Sequence, residues 1–344
     1  MGTGNNLSGT GIIISENQFI MKPQGNISDH ISVCICTYKR PQLLFKLLSK
    51  LQGQITENLF TYSAVIVDND ALQSAEKTVR EWQSRSVISI DYHCEPEQNI
   101  SLARNKAVAN AKGNFIAFID DDEFPESTWL INLLKTQQQY EADAVLGPVR
   151  PDFPPNAPAW LIKSGLCERS EHATGTILHW GQTRTGNTLL YESLFLNKDD
   201  WFDPEFGRTG GEDTMFFKKH YEAGKKFVWC NEAPVYETVP QDRWTRQFYI
   251  KKNLRIGNVV GDNLRKKEGE FALPSALSSN NHAYHKQTLL ILSKSLVWIL
   301  SMAAALPFSV CLGRHFYMRC LSKLSYNFGV LAGFSGLVFI RYRD

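Results

Sequence analysis

Several familiar signatures are missing from this 344-residue chain. Neither G-x-G-x-x-G nor G-x-x-x-x-G-K-[ST] occurs, so the two common glycine cradles for dinucleotides and nucleoside triphosphates are absent. The seven cysteines are scattered without a C-x-x-C pair, which excludes a zinc module and a disulfide framework. Their odd, dispersed pattern fits a reducing compartment, and Cys34 and Cys36 alternate on one segment as core thiols do. No basic-then-apolar leader opens residues 1–30, which are polar and rich in Gly, Asn and Ser, so the catalytic part is expected in the cytoplasm. The formal charge of +2 excludes a strongly polyionic chain, and no internal repeat is visible.

What is present is a globular composition, 43% hydrophobic, and an alternation of short apolar runs with amphipathic stretches. Strands are expected over 31–37, 62–67, 87–93, 115–119 and 143–147, and helices over 42–51, 72–83, 99–111 and 129–140. Pro41 opens the first helix and Gly113 ends the third. That order indicates βαβ units and an α/β fold with a mostly parallel sheet flanked by helices. The region 150–209, with four prolines in its first nine residues, reads as loops and short strands over a pocket. A helix over 214–223 follows Gly210-Gly211-Glu212-Asp213, and 226–230 and 234–238 read as edge strands.

The organising stretch is Phe115-Ile-Ala-Phe-Ile-Asp120-Asp121-Asp122-Glu123. Ligands of open α/β sheets sit at the carboxyl ends of strands. Three adjacent aspartates there repel each other unless a cation or a basic group joins them, and a hard divalent cation suits carboxylate oxygens. If strand geometry persists, Asp120 and Asp122 point the same way. The bland reading is a solvated acidic turn. A second strand ends at Asp68, so two strands bring acids to one edge. Glu212 and Asp213 read equally well as helix caps.

The last third differs in kind. Residues 243–267 hold eight Lys or Arg and one acid, Asp262, interleaved with Trp244, Phe248, Tyr249 and Leu254. Such a segment is a solvated face, a nucleic-acid patch or a membrane-surface element. Residues 289–312 contain one charge, Lys294, and are long enough to cross a bilayer. Membrane contact sets the nucleic-acid reading aside. A second, shorter apolar piece, 331–340, has positive charge on both sides, against a plain two-span hairpin. A span with an interfacial helix, two interfacial helices and a buried helical subdomain all remain open. The expected division is a tail (1–30), a catalytic domain (31–240, in halves 31–150 and 151–240), a basic segment and linker (241–285) and membrane-associated helices (286–344).

The pieces I-S-V-C-I-C-T-Y-K-R-P, V-I-V-D-N-D, N-I-S-L-A-R-N-K-A, F-I-D-D-D and G-E-D-T-M-F-F, in that order, resemble the family 2 glycosyltransferases of GT-A type. V-Y-E-T-V-P and L-A-G-F-S-G-L resemble their bacterial exopolysaccharide branch, of the succinoglycan kind. The resemblance implies that Thr37, Tyr38, Arg40, Asp68, Arg104, Asp120 and Asp121 bind a nucleotide-sugar, expected to be a UDP-hexose. It implies that Asp122, with Asp120 near it, ligates Mg²⁺ or Mn²⁺. Asp213 is the implied catalytic base, with Glu212 beside it. Glu237 stands where many relatives place a metal-proximal His. Gln241-Asp-Arg243-Trp244 is one residue short of the Q-x-x-R-W of processive synthases, which favours single-sugar transfer. The implied activity is inverting transfer to a lipid-linked or polysaccharide acceptor at the cytoplasmic face of the bacterial inner membrane. A nucleotidyltransferase and a non-catalytic membrane-bound assembly protein of the same fold are the alternatives.

Overall fold

The computed structural model describes residues 29–208, 210–271 and 279–337. The expected tail up to 28 and the end of the second apolar piece, 338–340, lie outside the described residues, as do Arg341 and Arg343.

The chain opens with strand β1 (Asp29–Thr37), and Pro41 starts helix α1 (Pro41–Leu51). Strand β2 (Phe60–Asp68) follows, then α2 (Glu76–Gln83) and β3 (Ile90–Cys94). Two of these differ from expectation for reasons the side chains supply. Residues 72–75 stay out of the helix because the Asp68 carboxylate accepts the amides of Asp70 (3.1 Å) and Ala75 (2.7 Å), pinning the loop. Residues 87–89 stay out of the strand because Gln52 Oε1 accepts from Ser86 Oγ and the Val87 amide, tying them to the end of α1. Helix α3 (Ile100–Asn110) begins where the Asn99 side chain accepts the amides of Ser101 and Leu102.

Next come β4 (Phe115–Phe118), β5 (Glu123–Pro125), α4 (Trp129–Tyr140), β6 (Ala144–Leu146), β7 (Val149–Asp152) and α5 (Ala159–Ser164). Strand β8 (Thr188–Tyr191), α6 (Glu212–Glu222), β9 (Phe227–Trp229) and β10 (Val235–Thr238) complete the catalytic region. The large sheet has the order β3-β2-β1-β4-β8-β6-β9. Only β8 runs against its neighbours β4 and β6. Because β8 lies between β4 and β6, the expected halves share one sheet. One core packs α1, α2 and α4 on one face, and a second packs α3 and α6 on the other. Strand β9 is an edge strand as expected. Strand β10 is not: it sits at the centre of a small sheet, β5-β10-β7, because the chain leaving the acidic turn as β5 supplies its second neighbour.

The remaining chain forms α7 (Arg246–Phe271), α8 (Ser279–Leu312) and α9 (Arg314–Phe334). Helices α7 and α9 run parallel and touch backbone to backbone. A Cβ on Gly257 would stand 1.9 Å from the Tyr326 carbonyl oxygen, and one on Gly333 would stand 2.0 Å from that of Asn258. Gly261 and Gly329 repeat the arrangement, so each helix brings a G-x-x-x-G step to the other. The start of the second apolar piece belongs to this contact: Ala332 and Gly333 are buried against α7, whereas residues 335–337 beyond α9 are exposed. Helix α8 is the opposite case. Its stretch His285–Leu312 has mean hydropathy 2.0 with only 6% of its apolar window buried, and Leu289, Val297, Phe308 and Leu312 face outward. That rules out the buried helical subdomain for this stretch.

Candidate active site

The β1–β2 register pairs Thr37 with Asp68, so both strands end together at the carboxyl edge, and β4 ends beside them. The chain leaves β4 at Phe118 and turns through Asp120-Asp121-Asp122 before β5. The strand alternation expected for Asp120 and Asp122 is therefore broken. Asp121 and Asp122 are buried and Asp120 is exposed. Thr37 Oγ1 donates to Asp121 Oδ2 (2.8 Å), and one nitrogen of Arg40 donates to Asp121 Oδ1 (3.0 Å) and Asp122 Oδ2 (3.1 Å). Arg40 reaches over the turn from the residue before Pro41, where proline disfavours helical backbone and throws the side chain outward. Tyr38 is half-buried next to it, with the Lys39 ammonium 4.9 Å from its ring.

One arginine does not balance this acid. Burial, then the charges of Asp120 and Asp121, push the Asp122 carboxyl up to about 6 against the pull of Arg40. Burial raises Asp121 as well. Glu123, 1% exposed, is raised well above the ordinary value too, by burial and then by Asp120. One of its oxygens accepts the Asp120 amide and the other has no hydrogen-bond partner. Sequence reasoning missed two residues here. Arg184 buries two guanidinium nitrogens without partners, and burial followed by Arg169 brings it down to about 10. Gly186 passes so close that a Cβ there would lie 2.7 Å from Glu123 Oε1 and 3.2 Å from Asp120 Oδ2. Both lie in the irregular 150–209 region, where no periodicity points to them.

At the start of α6 the two acids separate in role. Arg104 of α3 donates to Glu212 Oε1 at 2.5 Å, and both side chains are 9% exposed. Asp213 is half-buried, and its Oδ1 accepts the Thr214 amide at 2.7 Å. The acids in the field of Arg104 are Glu212, then Asp120 and Asp213, so the helix start and the acidic turn converge on this guanidinium. Cys36 lies in the same field, but burial pushes its thiol up to about 12, so it is no nucleophile. Asp68, fully buried, also accepts from Tyr92 Oη at 3.1 Å and organises the loop after β2.

Glu237 departs from its expected place as a metal neighbour. Arg169 donates to one of its oxygens and Arg243 to the other, at 2.7 Å for Arg243. Burial would raise its carboxyl, but the two arginines prevail and hold it below the ordinary range. It lies opposite Glu123 across the β5–β10 ladder, one strand from the acidic turn. Among the described residues no three carboxylate, imidazole or thiol groups converge on one point.

A mixed, largely parallel sheet with an acidic turn at its carboxyl edge and a second carboxylate at a facing helix start is the layout of a nucleotide-sugar transferase. The family model for glycosyl transferase family 2 matches residues 32–204, and the chain belongs to that family. It is 37% identical over 242 residues to the succinoglycan biosynthesis protein ExoM of Rhizobium meliloti, covering 69% of this chain and 76% of that protein. It is 24% identical over 250 residues to a chondroitin synthase of Escherichia coli, covering 62% of this chain but 35% of that larger protein. The mannosyltransferase of Pyrobaculum calidifontis, solved in complex with GDP-Man and Mn²⁺, superposes with a TM-score of 0.57 at 17% identity, covering 88% of this chain and 86% of that one. The fold is GT-A and the protein is a glycosyltransferase, which leaves the nucleotidyltransferase and assembly-protein readings without support.

Proposed function

We propose that the protein moves a single sugar from a nucleotide-sugar, a UDP-hexose, to a lipid-linked saccharide during exopolysaccharide synthesis, with inversion at the anomeric carbon. The observation that carries this reading is the convergence on Arg104 of the acidic turn and the start of α6. Thr37, Tyr38, Arg40, Asp68 and Arg104 form or order the pocket for the nucleotide, with Asp121 held in place by Thr37 and Arg40.

The acidic turn fits a divalent cation: its donors are hard carboxylate oxygens, and burial, then the charges of Asp120 and Asp121, raise Asp122 against the pull of Arg40. Asp122 would hold Mg²⁺ or Mn²⁺, with Asp120 beside it, and the ion supplies positive charge to the departing diphosphate. Glu237 is not assigned to that shell, since both of its oxygens serve arginines. Asp213 takes the proton of the acceptor hydroxyl as its oxygen bonds to the anomeric carbon and the bond to the diphosphate breaks. Glu212 is tied to Arg104 and acts as a positioning residue that fixes α6 against α3. A single displacement from the face opposite the diphosphate converts an α-linked donor into a β-linkage.

The outward apolar face of His285–Leu312 supports attachment to a bilayer, and the basic residues of α7 support contact with anionic headgroups at the cytoplasmic face of the inner membrane. The test is a panel of labelled nucleotide-sugars offered with a lipid-linked acceptor, with the product analysed for sugar identity and anomeric configuration. Transfer of one β-linked sugar from a UDP-hexose is the expected outcome. A retained α-linkage, or a polymer built without release, would overturn the mechanism.

A further inference from the structure

Beyond the carboxyl edge, two cavities lie side by side along α7. The first, of about 100 Å³, lies between the ends of β7 and β10, the loop after α5 and the start of α7, and its cations are Arg169, Arg243 and Lys252. At the volume one water occupies in the liquid, this is room for roughly three waters, or for a phosphate-sized group. The second, of about 460 Å³, lies among α7, α8 and α9 and is walled by Met302, Ser322, Tyr326 and the stems of Arg319 and Lys323. Leu166 lines both, and Asn253 of the second follows Lys252 of the first, so one opens beside the other.

The two differ in chemistry. Glu168 and Glu237 are the acids of the first cavity, and Glu237 is already held by both arginines, which leaves Lys252 facing surplus positive charge. Lys252 is exposed overall, and the burial its ammonium does have, then Arg169 and Arg243, lower it. In the second cavity the charged heads turn away from the space. The Arg319 guanidinium donates to the carbonyls of Ser164 and Lys163, and the Lys323 ammonium stands 4.6 Å from the Trp298 ring. What remains is largely hydrocarbon: Asn253 and Asn327 turn their amides onto the carbonyls of Tyr249 and Lys323, and Ser322, 4% exposed, buries a hydroxyl without a partner. The wall formed by α8 is continuous with its outward apolar face.

A cationic chamber beside an apolar one that reaches an outward-facing apolar helix matches an amphiphile with a phosphate head. We infer that the two cavities form the acceptor site for a polyprenyl diphosphate, its diphosphate between Arg169, Arg243 and Lys252 and the first isoprene units past Leu166 against Met302 and Tyr326. This rests on the lipid-linked acceptor proposed above and places it at named residues. The attached saccharide then extends toward the carboxyl edge, since Arg243 lies within the fields of both Asp122 and Arg40.

The test uses the full chain in phosphatidylcholine nanodiscs, with farnesyl diphosphate as the probe and UDP with Mn²⁺ as a separate arm. Farnesyl diphosphate should bind at least tenfold more tightly than inorganic pyrophosphate. Lys252→Gln removes one charge-assisted contact, and Met302→Trp fills the apolar chamber. Each should weaken farnesyl diphosphate about tenfold and leave UDP binding unchanged. The proposal is overturned if both variants bind farnesyl diphosphate like the parent, if pyrophosphate binds as tightly, or if phosphatidylglycerol displaces the probe as well as unlabelled farnesyl diphosphate does. Loss of UDP binding with farnesyl diphosphate retained would instead remove the donor reading and leave this site standing.

Discussion

At the carboxyl edge of the large sheet four acids in a row, Asp120 to Glu123, face Arg40 and Arg184. Around the first cavity below α7 the balance is reversed, with Arg169, Arg243 and Lys252 against Glu168 and Glu237. The same polypeptide thus builds one pole that holds too much negative charge and one that holds too much positive. A network meant only for stability would pair its charges, because an uncompensated buried charge is costly. Each pole is therefore shaped for an ion of the opposite sign, a cation at the turn and an anionic head beneath α7. Glu237 and Arg243 sit between them and keep the poles apart, each satisfied by the other.

The sharpest way to break this contrast is at the start of α6, where two adjacent carboxylates carry different expectations. Asp213→Asn keeps shape and hydrogen bonding but cannot take a proton, so turnover should fall by roughly 10²- to 10⁴-fold with nucleotide binding intact. Its stability should change by no more than about 0.5 kcal/mol, because Asp213 is half-exposed and unpaired with Arg104. Glu212→Gln leaves the Arg104 guanidinium buried without its counter-charge and should cost about 3–5 kcal/mol in a urea titration. If Glu212→Gln unfolds nothing and Asp213→Asn turns over normally, the base is misassigned.

The next test separates the poles through the helices. Replacing Gly261 by Leu drives a side chain into the Val330 carbonyl, 2.0 Å from where a Cβ would stand, and must part α7 from α9. A loss of roughly 1–3 kcal/mol or more is expected in thermal unfolding of the helical region. Binding of UDP with Mn²⁺ at the turn should persist while farnesyl diphosphate binding disappears. Parallel loss of both would mean that the two poles fold as one unit.

The acid pole was legible in the sequence and the basic pole only half so. Local rules sufficed where one residue does one job: Pro41 as a helix start, Asp120–Asp122 after an apolar strand. They failed where a distant group intervenes. Asp68 holds back the start of α2, Gln52 delays β3, and the turn itself supplies β10 with its second neighbour. Arg184 and Gly186 were invisible because their meaning lies in what passes overhead, not in any period. Hydropathy marked α8 and the tail of α9 alike as apolar, whereas only contact shows that α9 spends its glycines on α7 and α8 turns outward. Charge count flagged the basic segment, but not that Arg243 would claim Glu237.

The smallest effect concerns acid, to which Asp122 and Glu237 should answer with opposite sign. Asp122 has a native pKa of about 6, above the ordinary value of 3.8, so the native state holds that proton more tightly than the unfolded chain does. As pH falls from about 7 toward 4 in EDTA, this group makes the protein more stable. Glu237 is held below its ordinary value of 4.5, so its contribution is complete above that value and is lost only as pH falls through and below it. Between about pH 7 and pH 5 the Asp122 trend should therefore dominate the pair. Asp122→Asn resembles the protonated form and should be more stable than the parent near neutral pH, by about 1 kcal/mol once loss of the Arg40 contact is counted. That advantage should vanish by about pH 5, where the parent carries the proton itself. Mn²⁺ must displace the same proton, so its affinity for the parent should drop by up to about tenfold per pH unit below about 6. Urea midpoints of parent and variant at several pH values, with Mn²⁺ titrations alongside, measure both trends. Parallel stability curves would show that Asp122 is already balanced by Arg40, and the turn would then lack the surplus charge that sets it apart from the cavities beneath α7.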